Sequence, residues 1–409
     1  MGRDARVLVV SQHFWPEGFR INDICDYFVE NEVGVEVLCG FPNYPKGQLY
    51  PGYTWRGPYM EQRGGVKIFR TPEIPRGDNS NLRIFLNYVS FPLASLLHLP
   101  RLMFGNYDKI FLYQLSPVMM TIAGLVLSKV RKIESTMYVL DLWPENLFSV
   151  LNVKNRTFRR LAERVSHWHY RQADKIVVLS EQMRGKIQSI TGLPDEKITV
   201  VPQACESIYE QEVSDPVLAK RLGEGFKVVF TGNISPAQSF ETLIEAAEIL
   251  KSEGLTDIYW IVVGDGMSRR NVESEVTKRG LADVFRFEGH HPVTDVPKYT
   301  TLADVLVGCL VKSDLLEATI PAKVLSYIAA GRPVALSMDG EVRSLVEDQA
   351  RCGLVGPAGD SQALADNIRT LHAMTREQRM ALGARGKAYH FAHLERSIVL
   401  SRLMDFILK

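Results

Sequence analysis

The 409-residue sequence has little cysteine and no paired cysteine motif. Cys25, Cys39, Cys205, Cys309 and Cys352 are odd in number and widely spread, with no Cys-x-x-Cys. That excludes a disulfide framework and a zinc ribbon, and fits a reducing cytosol. Charge of one sign is also missing: Lys+Arg 48 against Asp+Glu 47 leaves a net +1, so nothing in bulk favours nucleic acid as a partner. No stretch reaches the roughly 18 uninterrupted apolar residues of a membrane span. The first apolar run, Val7-Leu-Val-Val10, is followed at once by Ser11-Gln12-His13 and reads as a buried strand, not a signal peptide. Short repeats, heptads and low-complexity tracts are absent. No His, Asp or Glu cluster has metal-ligand spacing, so no metal site is expected. Gly-x-Gly-x-x-Gly does not follow the first strand, which argues against a dinucleotide oxidoreductase.

What is present is the rhythm of parallel α/β units. Short apolar runs alternate with longer amphipathic stretches. In the first half the runs are Val7–Val10, Val35–Cys39, Val66–Arg70, Lys109–Tyr113, Met137–Leu140, Lys175–Leu179 and Ile198–Val201. A polar, charged segment follows, and runs resume at Lys227–Thr231, Tyr259–Gly264, Phe285–Phe287, Val305–Val307, Val334–Leu336 and Gly353–Val355. This predicts an α/β chain of two Rossmann-like domains, residues 1–203 and 225–389, joined by a linker at 204–224. The remainder, 390–409, has the apolar spacing of a terminal helix. Ligands of open parallel sheets sit beyond strand carboxyl ends, so those loops are where chemistry belongs.

Three such loops lie in the second half. Phe230-Thr-Gly232-Asn233-Ile-Ser-Pro-Ala-Gln238-Ser239 takes a strand through a tight turn into a helix, whose first amides can bind phosphate or merely cap the turn. Val262-Val-Gly264-Asp-Gly266 suits close backbone approach by a ligand, or a sharp turn alone. Arg269 and Arg270, just beyond, either neutralise a diphosphate or form a solvated face. In Glu317-Ala-Thr-Ile-Pro321-Ala-Lys323-Val-Leu-Ser326, Pro321 opens a helix that Gly331 closes. A lysine at a helix N-terminus is opposed by the macrodipole, and a bound anion relieves that conflict.

In this order, the three motifs resemble those of a family 4 glycosyltransferase of the GT-B fold. The first half adds Ser11-Gln-His13-Phe-Trp-Pro-Glu17-Gly18-Phe-Arg20, Phe41-Pro-Asn-Tyr-Pro45, Asp141-Leu-Trp-Pro-Glu145-Asn146 and Val178-Leu-Ser180. These resemble the branch that builds bacterial O-antigen, capsule and colanic-acid units, including fucosyl- and N-acetylfucosaminyltransferases. The resemblance implies retaining, metal-independent transfer of a sugar from a UDP- or GDP-sugar bound in a cleft between the domains. The nucleotide-sugar is then a substrate, and no cofactor is implied. It further implies a polyprenyl-diphosphate-linked saccharide as acceptor and a final helix that packs back on the first domain.

On that resemblance, nucleotide and diphosphate contacts fall to Gly232, Asn233, Gln238, Gly264, Gly266, Arg269, Phe287, Lys323 and Ser326. Many family members carry Arg and Lys where this chain has Asn233 and Gln238. Of the family's two glutamates, the second position holds Ser326 and the first Ala318, beside Glu317. Glu317 is the candidate for the donor sugar. The amides of the Gly18 loop are further catalytic candidates, since negative charge develops on the leaving diphosphate, and Asp141 is another, to bond sugar hydroxyls or deprotonate the acceptor, against a plain reading as a helix cap. His13, Glu17, Arg20 and Glu145 are candidates for the acceptor or the donor sugar, against plain readings as a structural histidine, a loop ion pair and a helix cap.

One segment, Leu82–Phe104, is apolar and aromatic but broken by Pro92 and Pro100, and Lys154, Arg156, Arg159, Arg160 and Arg164 form a basic stretch beyond it. Two readings fit: a core helix followed by a solvated basic helix, or an interfacial segment meeting anionic head groups. A lipid-linked acceptor favours the second, peripheral membrane contact at the inner face of the cell membrane. Two rival functions remain: a nucleotide-sugar epimerase of the same architecture, and a non-catalytic nucleotide-sugar-binding partner.

Overall fold

The computed structural model describes residues 5–77, 80–145, 147–148 and 155–409, without the side chains of Asn81, Asp314 and Leu315. Asn146 and Lys154 lie outside these residues. The chain divides into two compact units, Met1–Val201 with Leu400–Lys409, and Pro202–Val399.

The first unit is built on a sheet of β1 (Arg6–Val10), β2 (Gly34–Gly40), β3 (Met60–Arg63), β4 (Val66–Thr71), β5 (Lys109–Gln114), β6 (Ser135–Val139), β7 (Lys175–Val178) and β8 (Ile198–Val200). Its order is β3-β4-β2-β1-β5-β6-β7-β8, parallel throughout except for the antiparallel β3–β4 pair. Central strands are buried on both faces, which is why they read as unbroken apolar runs: Val7, Leu8, Val9 and Val10 are all inaccessible to solvent. Connections are α1 (Ile21–Glu30), α2 (Asn81–Leu96), α3 (Ile122–Arg131), α4 (Arg156–Gln172) and α5 (Glu181–Thr191). Right-handed crossovers from a strand order that reverses at β1 put α1 on one face and α2 to α5 on the other. Accordingly α2 packs on α3, α3 on α4 and α4 on α5. Asn155 caps α4, its side chain accepting from the amides of Thr157 and Phe158.

The second unit has a six-stranded, all-parallel sheet of β9 (Phe226–Thr231), β10 (Ile258–Val263), β11 (Phe285–Gly289), β12 (Val305–Cys309), β13 (Val334–Ser337) and β14 (Gly353–Gly356), in the order β11-β10-β9-β12-β13-β14. Its helices include α6 (Phe240–Ser252), α7 (Arg269–Lys278) and α8 (Ala322–Ala330). Residues 204–224 fold into this unit: the helix Pro216–Leu222 buries Leu218 and Leu222 among Val229, Ile261 and Tyr327. The last helix is α9 (Arg396–Leu408). Its final residues complete the first unit, with Leu403 and Ile407 buried, Lys175 Nζ donating to Phe406 O at 3.4 Å and Arg402 donating to Val200 O.

All five cysteines are buried free thiols. Among the described residues, no helix is long and apolar enough to cross a membrane.

Candidate active site

In the second unit the three expected loops meet at the carboxyl ends of β9, β10 and β12. Gly232 (φ +127) and Gly264 (φ +146) both occupy backbone conformations that side chains disfavour. A Cβ on Gly264 would lie 1.9 Å from Gly232 O, and one on Gly266 would lie 2.3 Å from Ile234 O. Those two glycines are therefore demanded by loop packing against loop. Gly232 differs: a Cβ there would meet only Lys323, 3.5 Å from Nζ. Its open side faces the lysine.

Lys323 sits in the first turn of α8, whose N-cap is Pro321. Its ammonium donates to Gln238 Oε1 and rests 4.0 Å from the centre of the Phe230 ring. Among the described residues no carboxylate pairs with it. Burial pulls its pKa from 10.5 down to about 7, with Cys309 opposing the shift. Tyr327, one turn on, locks the helix in place: its hydroxyl accepts from Thr231 N at 2.9 Å and lies 3.3 Å from the carbonyls of Thr231 and Val307. Sequence reasoning missed Tyr327, because a tyrosine on a buried apolar helix face looks like core.

The remaining candidates of this unit divide. Asn233 is exposed at the loop tip, and Arg269 lies beside Gly289, held by Glu273 at 2.7 Å and Asp265 at 3.6 Å. Phe287 stacks on Phe285 in the core edge. The Ser326 hydroxyl is turned inward, donating to Ala322 O and accepting from Cys205 Sγ at 3.7 Å. Glu317 ends the short helix Asp314–Glu317, half-buried, its carboxylate without a hydrogen bond among the described residues. A Cβ on Gly340 would lie 2.1 Å from Glu317 O, so that glycine lets the two segments touch.

In the first unit, His13 and Glu17 are brought together as a buried pair beyond β1. His13 Nδ1 lies 2.9 Å from Glu17 Oε2, and Glu17 Oε1 accepts from the amides of Asn43 (2.7 Å) and Tyr44 (2.6 Å). Phe19 stacks on the imidazole at 4.7 Å, and Tyr44 leans on both rings. The carboxylate fixes the proton on Nδ1 and leaves Nε2, which bonds to none of the described residues, as the nitrogen with the free lone pair. Gly18 borders this pair with open space where a Cβ would be, and Arg20 is the N-cap residue of α1. Asp141 lies beyond β6, its carboxylate accepting from Ser116 Oγ at 2.9 Å, while Gln114 Nε2 donates to its carbonyl. Glu145 is exposed.

Beside the pair lies a carboxyl that sequence reasoning did not single out. Glu73, fully buried after β4, accepts from Gln12 Nε2 at 2.9 Å and from Asn43 Nδ2. Burial, reinforced by the Glu17 charge, pushes its pKa well above 4.5. The amide oxygens of Gln12 and Asn43 are buried without partners, so a proton on Glu73 has an acceptor after one amide flip. A carboxyl with a raised folded pKa lets the unfolded chain release its proton first, so stability falls as pH rises from about 4.5 toward the folded value. Glu73→Gln is expected to abolish that slope and raise the unfolding midpoint at neutral pH. Superimposable pH–midpoint curves for the two proteins would refute it.

Each unit thus gathers its polar candidates at the carboxyl ends of a mainly parallel sheet, which with this topology defines a chain of the GT-B class. A model described as "Glycosyl transferase 4-like domain" matches residues 18–204, and one described as "Glycosyl transferases group 1" matches residues 225–374. Together they account for most of the sequence, and the chain belongs to the family 4 glycosyltransferases. A 2-deoxystreptamine glucosyltransferase from Streptomyces kanamyceticus is 30% identical over 46% of this chain and 49% of its own, so the chain matches about half of that relative. The putative colanic acid biosynthesis glycosyl transferase WcaI of Escherichia coli (strain K12) is 23% identical over 80% of this chain and 81% of its own. Among solved structures, Anabaena Alr3699/HepE in complex with UDP and glucose superimposes with a TM-score of 0.68 at 15% identity, covering 98% of each chain. WaaG, a glycosyltransferase involved in lipopolysaccharide biosynthesis, does so with a TM-score of 0.66 at 16% identity, covering 98% of this chain and 99% of its own. At such identities these likenesses speak for the fold.

Proposed function

We propose that the protein transfers a sugar, with retention and without a metal, from a UDP- or GDP-sugar to a polyprenyl-diphosphate-linked saccharide during synthesis of a bacterial surface polysaccharide. The observation that carries this reading is Lys323, a desolvated ammonium with no carboxylate partner among the described residues, facing the open side of Gly232. A cation so placed favours an anion beside it, and a nucleoside diphosphate supplies that charge. The UDP in the Anabaena structure and the colanic-acid role in the WcaI name support the donor and the pathway class. The first-half motifs favour an L-fucose or N-acetyl-L-fucosamine type of sugar, with O-antigen, capsule or lipopolysaccharide as destination, and the cytoplasm as the place of transfer.

The second unit handles the donor. Lys323 and Gln238 meet the diphosphate across the open side of Gly232, with Arg269 beside them. As the bond to the anomeric carbon breaks, negative charge grows on the diphosphate and these donors stabilise it. Glu317 hydrogen-bonds donor hydroxyls and favours the developing positive charge on the ring. The first unit handles the acceptor: His13 Nε2 receives the proton of the attacking hydroxyl, Glu17 holds the imidazole, and Asp141, Glu145 and Arg20 bind saccharide and phosphate.

A thermal-unfolding panel of UDP, GDP and their sugars tests the donor half. The matching nucleotide at about a hundred times its Kd stabilises by about 2.7 kcal/mol, and the other base does so far less. No shift with any nucleotide would overturn the reading. Products formed without acceptor separate the rivals: an altered free sugar means an epimerase, and no turnover with any acceptor means a binding partner only.

A further inference from the structure

Arg76 is a cation of the first unit to which the reading above gives no role. It follows β4, and its guanidinium lies between two tyrosine rings, 5.5 Å from the centre of Tyr44 and 5.5 Å from that of Tyr88. Its Nε donates to Asn87 Oδ1 at 3.2 Å. Among the described residues no carboxylate pairs with it, and its Nη hydrogens have no hydrogen-bond partner. The group is nonetheless held in place. Asn87 is fully buried in α2, and its Nδ2 donates to Ile74 O at 2.8 Å, which turns Oδ1 toward Arg76. Ile74 N donates in turn to Ser90 Oγ at 2.9 Å, so the segment carrying Arg76 is tied to α2. On its other side, Gly77 N donates to Gly47 O at 2.9 Å, and a Cβ on Gly47 would lie 2.3 Å from Gly77 O. The loop of Tyr44 and the loop of Arg76 therefore touch backbone to backbone.

With Nε engaged and a ring beside it on each side, a planar guanidinium keeps its Nη edge in one direction. The rings offset part of its lost hydration, but they cannot replace hydrogen bonds to the Nη groups. An oxyanion with two oxygens for that fork does so. Position says where such an anion comes from. Tyr44 is the ring between Arg76 and the proposed base: its centre is 5.6 Å from that of the His13 imidazole, and its backbone N–H donates to Glu17. Gln12, next to His13, shares the Asn87 oxygen with Arg76. Tyr44 is 40% exposed, and its hydroxyl bonds none of the described residues. An acceptor whose hydroxyl reaches His13 thus has Tyr44, and then Arg76, as its next contacts.

We infer that Arg76, clamped by Tyr44, Tyr88 and Asn87, is the subsite for a phosphate of the acceptor. The inference rests on the diphosphate-linked reading of the acceptor, which makes the anion a phosphate and not a sugar carboxylate. Its test uses neither donor nor transfer, so the two fail separately: absence of transfer to diphosphate-linked acceptors strikes the reading, and absence of phosphate binding at Arg76 strikes the subsite.

The experiment is titration calorimetry of inorganic pyrophosphate into the full chain carrying Lys323→Ala, which removes the anion contact proposed for the second unit. The expected result is that binding persists, and that adding Arg76→Gln weakens it about tenfold or more, the loss of a charge-assisted pair. Arg76→Lys keeps the charge without the fork and falls between the two. Adding Arg20→Gln, the other arginine proposed for the acceptor, weakens binding less than Arg76→Gln does. Unchanged unfolding midpoints establish that the variants are folded, and Arg76→Lys carries the test should Arg76→Gln not fold. Glucuronate replaces pyrophosphate in a second titration and is expected to bind more weakly. No pyrophosphate binding by the Lys323→Ala protein, equal binding with and without the Arg76 substitution, or a larger loss with Arg20→Gln overturns the inference. So does glucuronate binding more tightly than pyrophosphate and depending on Arg76, since the subsite would then take a sugar carboxylate.

Discussion

Lys323→Ala is expected to weaken UDP or GDP binding about 10- to 100-fold while leaving affinity for the bare nucleoside unchanged. The magnitude is that of a hydrogen bond to a charged group, about 1.5–3 kcal/mol. The selectivity follows from position, because the ammonium faces Gly232 at a helix start where phosphate belongs. The pH dependence is equally specific. With a pKa of about 7 in the free protein, Lys323 is largely neutral at pH 8. A bound diphosphate favours the charged form, so binding takes up a proton, and affinity falls as pH rises above about 7. Titration calorimetry in buffers of different ionisation enthalpy reads that uptake directly, and Lys323→Ala should lose it. The same desolvation makes the ammonium a cost to the empty protein. A depressed folded pKa means that this cost grows as pH falls from 10.5 toward about 7 and is constant below. Lys323→Met should accordingly raise the unfolding midpoint of the free protein at neutral pH. Equal diphosphate affinity in wild type and Lys323→Ala would remove the anion site from this helix.

His13→Ala is expected to lower transfer to a hydroxyl acceptor by roughly 100- to 10,000-fold, the range of a lost general base. Nucleotide affinity should not move, because the residues proposed to hold the nucleotide belong to the second unit. Glu17→Gln tests the same chemistry from the other side. The carboxylate accepts from Nδ1 and two backbone amides, and a carboxamide in its place cannot do so with both oxygens. The imidazole then loses the partner that keeps Nε2 free, and turnover falls with the fold intact. Azide distinguishes a base from a prop, since it attacks without giving up a proton. Glycosyl azide formation at near wild-type rate by His13→Ala supports the proton-accepting role. Equal losses with azide and with the hydroxyl acceptor would assign His13 to packing against Phe19 and Tyr44.

How much of this was legible in the sequence depended on how local the cause was. Strands such as Val7–Val10 and Val228–Phe230 announce themselves because burial on both faces needs only a run of apolar residues. Strand β3, Met60-Glu-Gln-Arg63, did not, since an exposed antiparallel edge places no such demand. Lys323 stood out because Pro321 and Gly331 bracket its helix and the dipole opposes its charge. The glycine loops were found for a reason that holds only in part: Gly264 and Gly266 answer to neighbouring backbone, and Gly232 alone is open toward a ligand. Ser326 could not be resolved from sequence, because back-bonding to Ala322 is a choice of rotamer. Glu73 was invisible for a different reason. Its partners Gln12 and Asn43 come from other strand ends, and only the sheet order brings them together.

The first unit is discontinuous and the second is not: Pro202–Val399 is a single stretch, whereas the first fold is closed by the ten residues Leu400–Lys409 that follow it. For anyone recombining the two units between relatives, a single crossover near position 202 is therefore the wrong cut. It would marry one parent's sheet to another parent's closing segment, misplacing Leu403, Ile407 and the Phe406 carbonyl against Lys175. A functional hybrid needs two junctions, so that the first unit carries its own closing segment. With the acceptor role proposed for the first unit, acceptor preference should then be inherited with 1–201 and 400–409 together, while 202–399 is exchanged as a cassette.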